Sequence, residues 1–201
     1  MYQEGSEHGK ETNLNMEENI TAIVAQSKEI LKKNAEQQKQ NAQSLACSQK
    51  VTSLRATFRN AEDFIERYNP DRQSYYLSRQ YEAYTGSAPS FYILDQAFGK
   101  NTSKSWVLAQ LFNLSEFCGC KDKLDTSQLK QTADIIVSGY YKNLKVSELS
   151  LFFAKVKQGI YGRFYGSVDP MQITSSLYEF VKNRGNEIVK YEEKLYPLIV
   201  L

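Results

Sequence analysis

From Val51 onward, apolar residues recur every three or four positions, and period-two alternation is nowhere sustained. A helix needs that first spacing to gather one buried stripe, whereas a half-buried strand needs the second. The pattern predicts an all-α fold, a multi-helix orthogonal bundle. Leu54, Phe58, Ala61, Phe64/Ile65 and Tyr68 trace one helix that stops at Asn69-Pro70. Asp71 starts the next, which carries Tyr75/Tyr76, Arg79 and Tyr81/Tyr84 as far as Gly86. Ala88-Pro89 opens a short helix through Tyr92, Leu94 and Phe98, closed by Gly99. Ser103 or Ser105 precedes another, with Trp106, Leu108, Leu111, Phe112 and Leu114. Thr126 is the expected cap of a helix burying Leu129, Ala133, Ile135/Ile136 and Tyr140. After a break at Lys142-Asn143, Ser147 leads a helix with Leu149, Leu151/Phe152, Phe153 and Val156, and Glu148 sits at its positive end. Asp169-Pro170, a capping carboxylate before a first-turn proline, marks the start of the last helix.

Residues 1–50 differ, with no Phe or Trp and one Tyr. Met1 to Asn15 is polar and is expected as a disordered tail without the apolar core of a signal peptide. Met16, Ile20, Ile23/Val24 and Ile30/Leu31 predict a helix from about 16 to 40 with a thin apolar stripe. The stripe fills barely two heptads, short of the roughly three or four that a coiled coil needs. An extended N-terminal helical arm over 1–50 and a compact helical domain over 51–201 follow. The arm is either a mobile helix, or a site of self-association through residues 16–45 or of docking to a protein partner.

The chain has 25 basic and 23 acidic residues, net +2, which argues against a polybasic nucleic-acid binder while leaving room for a local basic face. No apolar run approaches the roughly 20 residues of a membrane span. Cys47, Cys118 and Cys120 read as free thiols, and a cytoplasmic protein without a membrane partner is expected. Cys118-Gly119-Cys120 is too tight for zinc spacing, and His8 is the one histidine. No Ser-His-Asp or Cys-His set, phosphate loop or paired-carboxylate site is visible. No catalytic residue, metal or cofactor is therefore predicted, and the expectation is a non-enzyme.

One stretch stands apart. Lys157 to Pro170 holds Gly159, Gly162 and Gly166, the aromatics Tyr161, Phe164 and Tyr165, and Arg163. It reads in two ways. In the structural one, the three glycines end a helix and turn the chain while the aromatics fill the gap between helices, with Asp169 and Pro170 restarting the helix. In the binding one, Lys155, Lys157 and Arg163 meet phosphates or an acidic partner, Tyr161 or Tyr165 offers a stacking face, and Lys182, Arg184 and Lys190 extend the patch. From Tyr140 to Lys190, eight cations face four acids, a local +4.

The same region carries a resemblance. Leu144-Lys145-Val146-Ser147-Glu148-Leu149, Phe152-Phe153, Lys157, Gly159, Tyr161-Gly162, Phe164-Tyr165-Gly166, Asp169-Pro170 and Ile173, within Ala133 to Arg184, resemble an uncharacterised family. Its members are small helical proteins from phages and mobile elements of gut bacteria. The family has no established activity, so the resemblance carries over no catalytic residue. It is loosely similar in helical layout to phage helicase-loader and replisome-organiser proteins. That setting implies an accessory role in DNA replication, with a helicase or DNA as the partner of the basic C-terminal region. The alternative is a structural or protein-interaction protein that never touches nucleic acid.

Overall fold

The structure is a computed structural model that describes residues 8–199, with side chains for 28, 29 and 31–194. The chain is all-α. Its helices are α1 (His8–Thr57), α2 (Ala61–Arg67), α3 (Gln73–Leu77), α4 (Gln80–Thr85), α5 (Phe91–Phe98), α6 (Thr102–Phe117), α7 (Thr126–Ile136), α8 (Val146–Lys157) and α9 (Pro170–Ile199), with a 3-10 turn at Pro70–Arg72. Among the described residues there is no strand, only isolated bridges at Ser90–Lys145 and Asp122–Ser167. No helix among them is long and apolar enough to cross a membrane.

Two compact units divide the chain, Met1–Gln49 and Lys50–Leu201. In the first, α1 begins at His8, so residues 8–15 are helical where a disordered tail was expected. Once a helix is nucleated, each added residue contributes one hydrogen bond, and polar sequence prolongs it cheaply. The tail expected over residues 1–7 lies outside the described residues. Leu31 and Leu45 are exposed on this helix. A Glu29–Lys33 pair and a Gln37–Asn41 hydrogen bond link neighbouring turns of its surface.

The second unit is built around α8. All nine residues from Val146 to Ala154 are buried, and α8 packs against α3, α4 and α6. A helix apolar on nearly every side has to be surrounded. Its polar members are satisfied locally: the Ser147 hydroxyl donates to the Ala83 carbonyl at 2.7 Å and the Ser150 hydroxyl to the Val146 carbonyl at 2.8 Å. A second buried relay ends α2. Trp106 Nε1 donates to the Tyr68 carbonyl at 2.7 Å and Gln110 Nε2 joins it at 3.2 Å, so the last turn of α2 is capped from α6.

Two predicted helices are each broken. The stripe from Leu54 to Tyr68 is interrupted after Thr57, because the Asn60 side chain accepts from the Asp63 N–H at 2.8 Å and starts α2 afresh. The Asp71 to Gly86 helix is likewise split into a 3-10 turn capped by Asn69, then α3, then α4. Helix α7 is capped by Asp125 rather than Thr126, in a reciprocal box with Gln128. It ends at Ile136, which leaves Tyr140 in the following turn and 66% exposed instead of buried.

Candidate functional site

The glycine-aromatic segment is an ordered connection between α8 and α9. Gly159 sits at φ 78°, its N–H donates to the Val156 carbonyl at 2.8 Å, and the Ile160 N–H reaches the Lys155 carbonyl at 3.2 Å. These two bonds form a Schellman closure, which needs the left-handed conformation that glycine adopts without a Cβ clash. Gly162 and Gly166 also have positive φ, 92° and 77°. Between them and α9 the chain is pinned from outside. Asp122 donates its N–H to the Gly166 carbonyl at 3.1 Å and accepts from the Val168 N–H at 3.0 Å. Asp169 then caps α9 by accepting from the Met171 N–H at 2.8 Å.

The cations proposed for a common patch do not all share one face: Lys155 and Lys190 come near each other, with Lys190 paired to Glu187, and Lys157 turns away. Lys155 and Lys157 are two residues apart on α8, which places them on different sides of the helix. Lys155 lies over the Phe180 ring, 5.8 Å from its centroid, and burial pushes its ammonium below the ordinary value. Lys157 turns toward α6, hydrogen-bonds Asn113 Oδ1 and lies 5.0 Å over the Phe117 ring. Burial lowers its pKa too. Arg184 forms an ion pair with Glu148, whose side chain is fully buried. Arg163 packs beside Gly159, and it and Lys182 are exposed without an ion pair among the described residues.

The two stacking candidates separate in the same way. Tyr161 is half-buried, its ring 5.7 Å from Phe152, and burial pushes its phenol up to about 12. Tyr165 is 85% exposed. Tyr161 thus lies between α8 and α9, its carbonyl accepting from Gln172, while Tyr165 faces solvent.

An exposed aromatic surface that the sequence reading missed lies at α9 and the turn after α7. The rings of Tyr140 and Tyr178 stack at 6.3 Å with 26° between their planes, and Tyr140 also meets Tyr141 edge-on at 4.7 Å. Met171, Tyr178 and Lys182 follow at spacings of seven and four, which puts them on one face of α9, and all three are exposed. A second missed cluster is at Tyr75, whose ring lies under Arg72 and Arg79 at 4.7 and 4.2 Å. Glu82 accepts from the Tyr75 hydroxyl and pairs with Arg79, which balances part of that charge.

Cys118 and Cys120 are half-buried free thiols, and burial raises the Cys118 pKa. A raised thiol is a poor nucleophile. No group of three or more His, Cys, Asp or Glu among the described residues could hold a metal ion.

A family of unknown function (DUF6633) matches residues 123–196. The match takes in α7, the aromatic turn, α8, the glycine connection and most of α9. The C-terminal part of the chain is thus similar to an uncharacterised family. No curated protein and no solved structure matches the chain.

Proposed function

We infer that this is a non-enzymatic accessory protein that binds a protein partner through the aromatic surface of Tyr140, Met171, Tyr178 and Lys182. The observation that carries this reading is the fate of the cations. Lys157 and Arg184 are spent on Asn113 and Glu148, and Lys155 lies on Phe180. Lys190 pairs with Glu187 at 2.7 Å, and only Arg163 and Lys182 of the six are without an ion pair, hydrogen bond or ring contact among the described residues. Two phosphate contacts would give a salt slope of only about −1.4 to −1.8, far below the six to ten contacts of a strong DNA binder. Exposed Tyr and Met around one cation, by contrast, are the side chains enriched at protein interfaces. A replicative helicase served in the cytoplasm by a phage or mobile-element accessory protein fits the family setting.

The second reading keeps DNA as ligand. Stacked Tyr140 and Tyr178 beside Lys182 present π-faces next to a cation, which single strands also use. One pair of titrations separates the two. A purified replicative helicase is expected to bind at roughly micromolar concentration and to lose at least about tenfold in affinity with Tyr140→Ala/Tyr178→Ala. Labelled single- and double-stranded DNA at low salt is expected not to bind in that range. DNA binding that Arg163→Glu/Lys182→Glu abolishes would reverse the conclusion.

A further inference from the structure

A cavity of about 330 Å³ lies on the second unit between α5, the Gly99–Asn101 turn and the segment that follows α7. Its floor is apolar, made by the buried Phe91 ring and by Val137. Tyr92 forms a half-exposed wall, and the rim carries Lys100 and Lys142. Neither ammonium has an ion pair or hydrogen bond among the described residues. The one acid of the lining, Asp95, is already used: it accepts from the Ser103 N–H and hydroxyl, each at 2.8 Å, and starts α6. The lining therefore carries two unpaired ammoniums against one carboxylate, a net positive charge above an apolar floor.

Both rims are held in place by backbone. Tyr92 N–H donates to the Lys142 carbonyl at 2.9 Å and Phe91 N–H to the Leu144 carbonyl at 3.1 Å, so the backbone that carries Lys142 is held against the start of α5. On the other side, Arg55 donates to the Ala97 and Gln96 carbonyls at 2.8 and 3.0 Å, which secures the end of α5. Gly99 at φ 106° and Asn101 at φ 74° then turn Lys100 onto the rim. A net positive rim around an apolar floor favours a ligand that brings negative charge and one apolar group together. The volume is at the lower end of the roughly 300–1,000 Å³ of small-molecule sites, and its exposed rim leaves it open on the surface. It suits one large side chain of a longer ligand better than an enclosed cofactor.

We propose that this cavity is a docking site for an acidic peptide segment of a protein partner, an apolar side chain seated on Phe91 and Val137 and flanking carboxylates on Lys100 and Lys142. The occupant's identity rests on the protein-binding reading above, while the cavity is lined by none of Tyr140, Met171, Tyr178 and Lys182.

The test is a titration of isotopically labelled full-length protein with the peptide acetyl-Glu-Asp-Phe-Glu-Asp-amide, followed through backbone amide shifts. Saturable shifts at Tyr92, Gln96 and Val137 are expected. Lys100→Glu/Lys142→Glu, a change of two exposed side chains, is expected to weaken binding by about tenfold or more with an unchanged thermal midpoint. A peptide with Gln and Asn in place of the acids, and one with Ala in place of Phe, should each bind much more weakly. Equal binding by either control, or by the double-Glu variant, would overturn the proposal, as would the absence of saturable shifts at these amides. So would an oligothymidylate that displaces the peptide from the same amides. Helicase binding that persists while the peptide fails would sink this inference alone and leave the aromatic surface standing.

Discussion

Glu148 on α8 and Arg184 on α9 form an ion pair in which the carboxylate is fully buried and the guanidinium is about one-third exposed. The other carboxylate oxygen accepts from the Lys145 N–H at 2.9 Å, so the same side chain starts α8 and ties it to α9. Removing one partner of a buried pair leaves an uncompensated charge, which typically costs about 3–5 kcal/mol. Arg184→Met is expected near or somewhat below the bottom of that range, because its solvent-facing side already shares hydration. Glu148→Gln, which still accepts from Lys145, should cost only about 1 kcal/mol. The double variant should cost less than the sum of the two singles by urea denaturation. Strict additivity would mean that the pair contributes no coupling.

The pH dependence of that pair has a definite sign. Burial raises the Glu148 pKa above its ordinary 4.5, while the Lys145 N–H and Arg184 pull it back without cancelling the rise. The folded chain therefore holds this proton more tightly than the unfolded chain does. The associated stability is whole below pH 4.5 and is lost as pH rises through the folded-state value. Stability of wild type relative to Glu148→Gln should fall from about pH 4 toward neutrality. A flat difference across that range would remove Glu148 as the titrating group.

Burial also holds tyrosines neutral. The phenols of Tyr76 and Tyr84 are pushed far above their ordinary 10, and Tyr161 to about 12, chiefly by desolvation. The neutral forms stabilise the fold, and that contribution is lost as pH rises from 10 through the folded-state values. Phenolate absorbance should therefore show Tyr76, Tyr84 and Tyr161 ionising only with alkaline unfolding. A single transition near 10 that comes before any loss of helicity would contradict the burial of these rings.

The loop glycines separate backbone strain from crowding. A Cβ at Gly166 would meet nothing within 4 Å, so the whole cost of Gly166→Ala comes from φ 77°, about 1–2 kcal/mol. Gly166→Asn should cost less, because asparagine tolerates the left-handed region. Gly162→Ala should cost more than Gly166→Ala. Its Cβ would lie 3.1 Å from Gln172 Nε2, which donates to the Tyr161 carbonyl at 3.2 Å. Thermal unfolding that ranks the three otherwise would show that the connection relaxes instead of holding its dihedrals.

How much the sequence revealed depended on how local the physics was. Asp169-Pro170 and Gly99 mark their helix ends from within a few residues, and the structure caps or turns the chain at both. Asn69-Pro70 likewise marks a helix end, but at Asn60 and at Ser78-Arg79 the apolar spacing runs across the break and hides the starts of α2 and α4. The patch was harder to read, because its outcome depends on partners remote in sequence. Nothing near Arg184 announces Glu148 from 36 positions earlier, and Asn113 claims Lys157 across 44. Glu148 looked like a first-turn acid favoured by the helix dipole, and it is that, but burial also makes it a tie to α9. Tyr140 was assigned to the buried side of α7 because the pattern continues past Ile136, where the helix has already ended.

The boundary at Lys50 gives the last test. The final two turns of α1 belong to the second unit, where Leu54 is buried and Arg55 bonds the Ala97 and Gln96 carbonyls. A fragment of residues 50–201 should therefore unfold cooperatively, because it keeps every one of those contacts. A fragment of 58–201 should lose about 1.5–3 kcal/mol for Leu54 and about as much again for the two charge-assisted bonds of Arg55. Urea denaturation of both fragments, alongside Arg55→Ala in the full chain, reads each part separately. If 50–201 fails to fold cooperatively, residues before Lys50 contribute to the core. Equal stability of 58–201 would mean that these two turns lie on the second unit without holding it.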